Sequence, residues 1–375
     1  MGSSVPKGTS GGQIAITLLL TGVLVVGLAL GAGRLNGTSC VGDVGLNWPN
    51  AGRVYIAGLT QQSTLAERPA RPLAVASTQK IQQVRVFVGV DAALSAWQED
   101  PEKAVKGLER LLVDAEAHNV QLIISNYPDQ RMISALAGRN YPSWAAAQGD
   151  LVTPGSVPFR RFEEWLTDIV PRLASRPNVA AWEVVNEPGY MLGMDNGTVN
   201  VDVGLAFVGH FSQLLHRLGA REVAGGGRPV FDPMTLRDDQ LIGYARDLDI
   251  LDDHLYPETT VGGSHGRSVE DARTAVAETA AWFDRVRRLA ARPEMPAMLG
   301  EVGTQPSAWF SVVLTDATRH GWPVLAWGFD AYDDNNFTDS VNPATLRRLS
   351  KAAQKAARTN GRFPVRVGAA MCQPK

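Results

Sequence analysis

The sequence predicts an α/β protein built as one (β/α)8 barrel preceded by an N-terminal hydrophobic segment. Three observations predict it. From residue 41 onward, short β-branched or apolar runs alternate with stretches of helical periodicity, and strict βα alternation implies a parallel sheet. Eight such units occupy about 320 residues, within the usual range of a closed eight-stranded barrel. The rival fold, an open doubly wound sheet, normally brings a Gly-rich first turn for a nucleotide, and none is present.

The elements follow in order. VGDVGLNW (41–48) and the β-branched VRVFVGV (84–90) read as the first two strands. PEKAVKGLERLLVDAEAHN (101–119) starts with Pro and carries apolar residues at helical spacing. VQLIISNY (120–127) is the third strand. FRRFEEWLTDIVPRLASR (159–176) is helical, with a kink or break expected at Pro171. VAAWEVVNE (179–187) is the fourth strand, and VGLAFVGHFSQLLHRLG (203–219) is a helix closed by Gly219. REVAGGG (221–227) is a weaker fifth strand, followed by a short helix in DQLIGYARD. LDILDDHLY (248–256) is the sixth strand. The helix over 268–292 has Ser268 as its N-cap and acids in its first turn. PAMLGEVGT (296–304), a helix over 307–321, WPVLAWGFD (322–330) and a helix over 342–359 complete the barrel. Residues 41–362 form the main domain and 363–375 a tail.

Composition excludes several classes. The chain has 375 residues, 45% hydrophobic and 20% charged, with a formal net charge of −2, which offers no polyanion-binding surface. There is no phosphate loop, no HExxH and no CxxC, so neither nucleotide chemistry nor a metal or other cofactor is expected. Residues 14–33 carry no charge and lie between Lys7 and Arg34, long enough to span a bilayer. Residues 1–35 are therefore read as a membrane anchor or a cleaved signal, and the main domain as exported: extracellular, or anchored to the outer face of the membrane. Cys40 precedes the first strand and Cys372 lies near the C-terminus. A closed barrel brings those ends together, an oxidising compartment permits a bridge, and so long a loop would constrain the unfolded chain by about 4–5 kcal/mol. A Cys40–Cys372 disulfide is expected, with two free thiols as the alternative.

Functional residues of such a barrel sit at the C-terminal strand ends. There the chain places Asn47 and Trp48, Asn126 and Tyr127, Asn186 and Glu187, His254 and Tyr256, Glu301, and Trp327 with Asp330; Arg85 lies within the second strand. Glu187 and Glu301, on strands four and seven, meet at one rim. Two carboxyl groups facing each other across a glycosidic bond can act as acid and nucleophile, provided their surroundings separate their pKa values. Arg85 would stabilise the ionised one. Glu183 shares the parity of Glu187 and reads as a structural contact lower in the barrel. Trp48, Tyr127, Trp144 and Tyr190 are candidates for sugar stacking. A Ca²⁺ loop over Asp333, Asp334, Asn335 and Asn336 is not expected, because the spacing departs from the EF-hand pattern.

WEVVNEPG (182–189), LGEVG with Glu301, HLYPE (254–258) and VLAWGFD with Trp327, in this order, resemble the clan A glycoside hydrolases. Within them the chain is most similar to glycoside hydrolase family 5, the cellulase and mannanase family, with family 39 as a near neighbour. The resemblance covers about residues 41–360 and implies a TIM barrel. It implies Glu187 as acid/base and Glu301 as the nucleophile of a retaining β-glycosidase. It further implies that Asn186 bonds the sugar 2-hydroxyl, Tyr256 bonds the nucleophile and His254 positions the sugar. Trp327 would be a sugar platform, and Arg85 would support Glu301. Asn126 is counted with the substrate-binding set. One departure is visible: many family 5 members carry a His near the end of strand three, where this chain has Ser125 and Asn126. A monomer acting on an oligo- or polysaccharide, without nucleic acid, is expected. Transglycosylation at the same site and a carbohydrate-binding pseudoenzyme are the alternatives.

Overall fold

The computed structural model describes residues 44–58, 71–78, 81–257, 266, 268–303, 306–327 and 351. Eight parallel strands run through them: β1 (Val44–Trp48), β2 (Gln83–Gly89), β3 (Gln121–Asn126), β4 (Val179–Glu183), β5 (Val223–Ala224), β6 (Leu251–Leu255), β7 (Ala297–Val302) and β8 (Val324–Ala326). Their order is β5-β4-β3-β2-β1-β8-β7-β6. A parallel bridge between Ala224 and Ile250 joins the two ends, and the Gly225 N–H donates to the Ile250 carbonyl at 3.1 Å. The sheet is thus closed into a (β/α)8 TIM barrel. Among the described residues no helix is long and apolar enough to cross a membrane. Residues 14–33, Cys40, Cys372, the 363–375 tail, Asp330, the 333–336 run and all of the expected 342–359 helix except residue 351 lie outside the described residues.

Ile123, Ala181, Ala224, Ile250, Met298 and Leu325 fill the barrel interior. A larger apolar layer, including Phe162, Trp165, Phe211, Trp282 and Trp309, joins the strands to the surrounding helices. Local chemistry sets the helix starts. Asp100 caps Pro101–Ala117, Ser156 caps Val157–Leu173, and Ser268 with Asp271 forms a capping box on Val269–Leu289.

The structure departs from the sequence reading at three places, the first two of which shape the mouth. β4 ends at Glu183, so Asn186 and Glu187 lie on a bend beyond the sheet. A helix, Asp91–Glu99, follows β2 directly, and the 128–158 segment folds into helices Gln130–Ala137 and Trp144–Val152. Pro171 does not break its helix: it sits two residues from the C-terminal end at Leu173, where its missing N–H removes at most one bond from the last turn.

Candidate active site

The bend after β4 is held from both sides. Asn126 Nδ2 donates to the carbonyls of Glu183 at 3.2 Å and Val184 at 3.0 Å, while its Oδ1 accepts from Trp165 Nε1 at 3.1 Å. The Asn186 N–H donates to the Asn126 carbonyl at 2.7 Å, and the Glu187 N–H to the Gly226 carbonyl at 2.6 Å. Glu187 itself adopts φ 42°, ψ 66°, a left-handed conformation that costs a non-glycine residue about 1–3 kcal/mol. Pro188 then opens the helical turn Pro188–Met191 at N1, where its missing N–H costs nothing. The run beyond β4 therefore ends on Asn-Glu-Pro because the chain turns sharply there and projects one carboxylate over the barrel. The Glu187 side chain keeps 31% of its exposure.

A bulge performs the corresponding task on β7. Asp253 pairs with Leu299 but His254 with Glu301, so Gly300 is left over in the register. The Gly300 N–H donates to Asp252 Oδ1 at 2.6 Å, and its carbonyl accepts from Asn47 Nδ2 at 2.9 Å. A Cβ on residue 300 would stand 2.4 Å from Asp252 Oδ2, so only glycine fits. The extra residue turns Glu301 inward, where Tyr256 Oη donates to its Oε2 at 2.6 Å.

Arg85 organises the floor. Its Nη1 donates to Glu301 Oε1 at 2.5 Å and to Asn47 Oδ1 at 3.2 Å. Nη2 donates to Glu183 Oε2 at 2.6 Å and to Asn186 Oδ1 at 2.7 Å, and Nε bonds both Glu183 oxygens at 2.9 Å. Holding Asn186 by Oδ1 leaves its Nδ2 as the group it can offer outward. Burial opposes the Arg85 charge, but Glu183 and Glu301 more than compensate and raise its pKa further.

His254 connects the two carboxylates. Its Nδ1 lies 3.1 Å from Glu187 Oε1 and 3.6 Å from Glu301 Oε2, and its Nε2 lies 3.6 Å from the buried Asp252 Oδ2. Burial pushes its pKa down, yet Glu301, Asp252 and Glu187 outweigh burial and hold it well above the ordinary value. For Glu301, burial raises the pKa, while the His254 and Arg85 charges oppose that rise. Both Glu301 oxygens accept from strong donors, Arg85 and Tyr256, an arrangement that suits the ionised form. One ligand atom each from Glu187, His254 and Glu301 lie within 4.8 Å of one another, a spacing that could hold a metal ion. The adjoining Arg85 guanidinium, 2.5 Å from Glu301 Oε1, already supplies positive charge there, which disfavours a cation.

The structure brings Glu187, Glu301, Asn186, His254, Tyr256 and Arg85 together. Trp327 stands at the end of β8, edge-on to Tyr256 with centroids 6.4 Å apart. Arg85 is 1% exposed and bonds Glu301 from below. Two expectations need correction. Asn126 is fully buried with its amide engaged by the protein, so it supports the site from below instead of facing a substrate. Trp48 is 2% exposed and packs on Tyr55, so it is core. Tyr127, Trp144 and Tyr190 line a cleft beside the mouth. Sequence reasoning passed over Asp252, although its parity with His254 and Tyr256 in DDHLY was a usable signal.

The sequence matches no family model and no curated protein. Solved structures do match. A broad-specificity endoglucanase of glycoside hydrolase family 5 from Clostridium longisporum superposes with a TM-score of 0.57 at 13% identity, covering 84% of this chain and 97% of that one. The chain has the fold of that enzyme. A family 5 mannosidase from Rhizomucor miehei gives 0.55 at 10% identity, covering 85% and 95%. An exo-β-1,4-mannosidase from an Opitutaceae bacterium gives 0.60 at 14% identity, covering 86% of this chain and 60% of that one.

Proposed function

We propose that the protein is a retaining β-glycosidase, with Glu301 as nucleophile and Glu187 as acid/base. The observation that carries this reading is the approach of a Glu187 oxygen and a Glu301 oxygen to within 4.8 Å at the barrel mouth. Double displacement needs carboxyl groups about 5–5.5 Å apart, whereas inversion needs about 6.5–9.5 Å to admit a water between them. In the first step Glu301 attacks the anomeric carbon as the bond to the leaving oxygen breaks, and Glu187 gives its proton to that oxygen. In the second, Glu187 takes a proton from water, and the oxygen of that water displaces Glu301 from the sugar. Arg85 and Tyr256 hold the Glu301 carboxylate in place. Asn186 Nδ2 is available to a sugar hydroxyl, and Trp327 supplies an aromatic face beside Tyr256.

The endoglucanase and mannosidases that share the fold point to β-linked gluco- or manno-configured chains as the substrate class. The uncharged run at residues 14–33 supports a place outside the cell membrane, free or tethered. The test compares the chain from residue 35 onward with its Glu301→Ala variant on β-glucans, β-mannans and aryl β-glycosides. Proton NMR follows the anomer released first. Release of the β-anomer by the parent alone supports the reading. Release of the α-anomer, or equal release by the variant, overturns it.

A further inference from the structure

Three consecutive glycines, Gly225, Gly226 and Gly227, follow β5, and the reaction above assigns them no part. Each has its own neighbour. The Gly225 N–H closes the barrel on the Ile250 carbonyl at 3.1 Å. The Gly226 carbonyl accepts from the Glu187 N–H at 2.6 Å. Gly227 lies against the His254 ring, which a Cβ there would meet at 3.3 Å. Gly226 and Gly227 adopt φ 70° and φ 113°, a backbone region that side-chain-bearing residues rarely enter. A Cβ on Gly226 would also overlap the Val185 carbonyl oxygen. The turn thus reaches Glu187 twice: directly through its N–H, and through His254, whose Nδ1 lies 3.1 Å from Glu187 Oε1.

A tyrosine behind the barrel wall holds this turn. Tyr244, on helix Asp238–Arg246, is 1% exposed. Its Oη donates to the Gly227 carbonyl at 3.0 Å and approaches the Gly225 carbonyl at 3.4 Å. Burial, then the Asp252, Asp253 and Glu183 charges, holds its pKa well above the ordinary value, so the hydroxyl stays a donor. Just past the turn, Arg228 pairs with the buried Asp253 at 2.6 Å, and Thr279 Oγ1 donates to the other Asp253 oxygen at 2.5 Å. Two helices therefore anchor the segment that carries the acceptor for Glu187. Packing alone would be satisfied by phenylalanine at 244; the hydroxyl adds the bond to Gly227. Glu187 is strained at φ 42°, so its backbone keeps its aim only while its own bonds hold. The geometry points to Tyr244 as a positioning residue for Glu187, acting through the glycine turn and touching no substrate. The inference rests on the glycosidase reading and adds to its acid step a residue that stands outside the mouth.

The test compares Tyr244→Phe with the wild type on gluco- and manno-configured β-glycosides that carry a phenyl or a dinitrophenyl leaving group. Dinitrophenolate departs without a proton, whereas the phenyl oxygen departs only as it takes the proton of Glu187. The parameter kcat/KM reports the step in which that bond breaks. The expected loss is about 10- to 100-fold on the phenyl glycoside and less than about twofold on the dinitrophenyl glycoside. Amide exchange followed by NMR needs no substrate: the Glu187 N–H is expected to exchange about tenfold faster relative to that of Ile123 in β3. Tyr55→Phe is the control. It too deletes a buried hydroxyl, one that bonds Asp114 at 2.5 Å, and it should lower the melting temperature without changing either ratio. Gly227→Ala disturbs the same turn through its own backbone and should give the same two signatures, so it answers even where Tyr244→Phe impairs folding. Equal losses on both glycosides, or a Glu187 amide no faster relative to Ile123, overturn the role of Tyr244 and keep the glycosidase. A wild-type protein that cleaves none of the glycosides overturns the glycosidase reading, and amide exchange then still decides whether Tyr244 holds Glu187.

Discussion

Arg85 Nη1 and Glu301 Oε1 lie 2.5 Å apart, and neither side chain is more than 3% exposed. The same guanidinium holds Glu183, which has no exposure at all. Removing one partner of a buried pair leaves uncompensated charge and costs about 3–5 kcal/mol. Arg85→Met therefore strands two carboxylates. It is expected to lower the unfolding free energy by about that amount and to abolish turnover. Urea denaturation followed by fluorescence measures the first. A midpoint within error of the wild type would show that Arg85 does not neutralise the two acids.

The pH dependence of activity follows from Glu301. In the proposed double displacement only the ionised carboxylate attacks, so kcat/KM should be lost as pH falls through its pKa, and burial places that limb above the ordinary glutamate value. The His254 charge pulls in the opposite direction, at 3.6 Å from Glu301 Oε2. His254→Gln removes that cation and is expected to move the acid limb upward in pH. A pH–rate profile of kcat/KM reads the shift, and a limb that stays put or moves down would separate His254 from the nucleophile.

His254 also links stability to pH. Its folded pKa is held well above the unfolded value of 6.5, so the folded state binds the proton more tightly. The stabilisation is complete below 6.5 and is lost as pH rises through the folded pKa. Asp252 is one source of that pKa: its Oδ2 stands 3.6 Å from the ring, and its Oδ1 holds the bulge at Gly300. Asp252→Asn keeps an acceptor for Gly300 but removes the charge. It is expected to lower the His254 pKa and bring the alkaline loss of stability to lower pH. NMR titration of the His254 ring protons, with thermal melts across pH, measures both. An unchanged His254 titration would show that Asp252 has only a scaffolding role.

Much of this architecture is legible in the sequence because alternation in strands and periodicity in helices report directly on which face is buried. The eight strands and the convergence of Glu187 with Glu301 follow from that alone. What the pattern does not report is depth. Asn126 and Glu187 both stand near strand ends, but Asn126 is consumed in binding the Glu183 and Val184 carbonyls, a partner choice that depends on where β4 stops. The helices Gln130–Ala137 and Trp144–Val152 were hidden for another reason. Pro128, Gly138 and Pro142 divide their segment into pieces too short for periodicity to show. The wall of the cleft beside the mouth was thus the least visible part, although its aromatic residues stood out individually.

The backbone at Glu187 permits a test in which stability and activity separate. At φ 42° any residue with a Cβ is strained, whereas glycine is not. At ordinary positions alanine stabilises relative to glycine by reducing the freedom of the unfolded chain, by about 0.4–1 kcal/mol. At residue 187 that order should invert. On the proposed mechanism both substitutions remove the acid and should reduce turnover of substrates with poor leaving groups by about 10²–10⁴-fold. Glu187→Gly should nevertheless melt above Glu187→Ala, because only alanine retains the left-handed strain. Differential scanning calorimetry of the two inactive variants is a direct comparison, free of any substrate. If alanine is the more stable of the two, residue 187 does not hold the left-handed turn that aims its carboxylate across the barrel at Glu301.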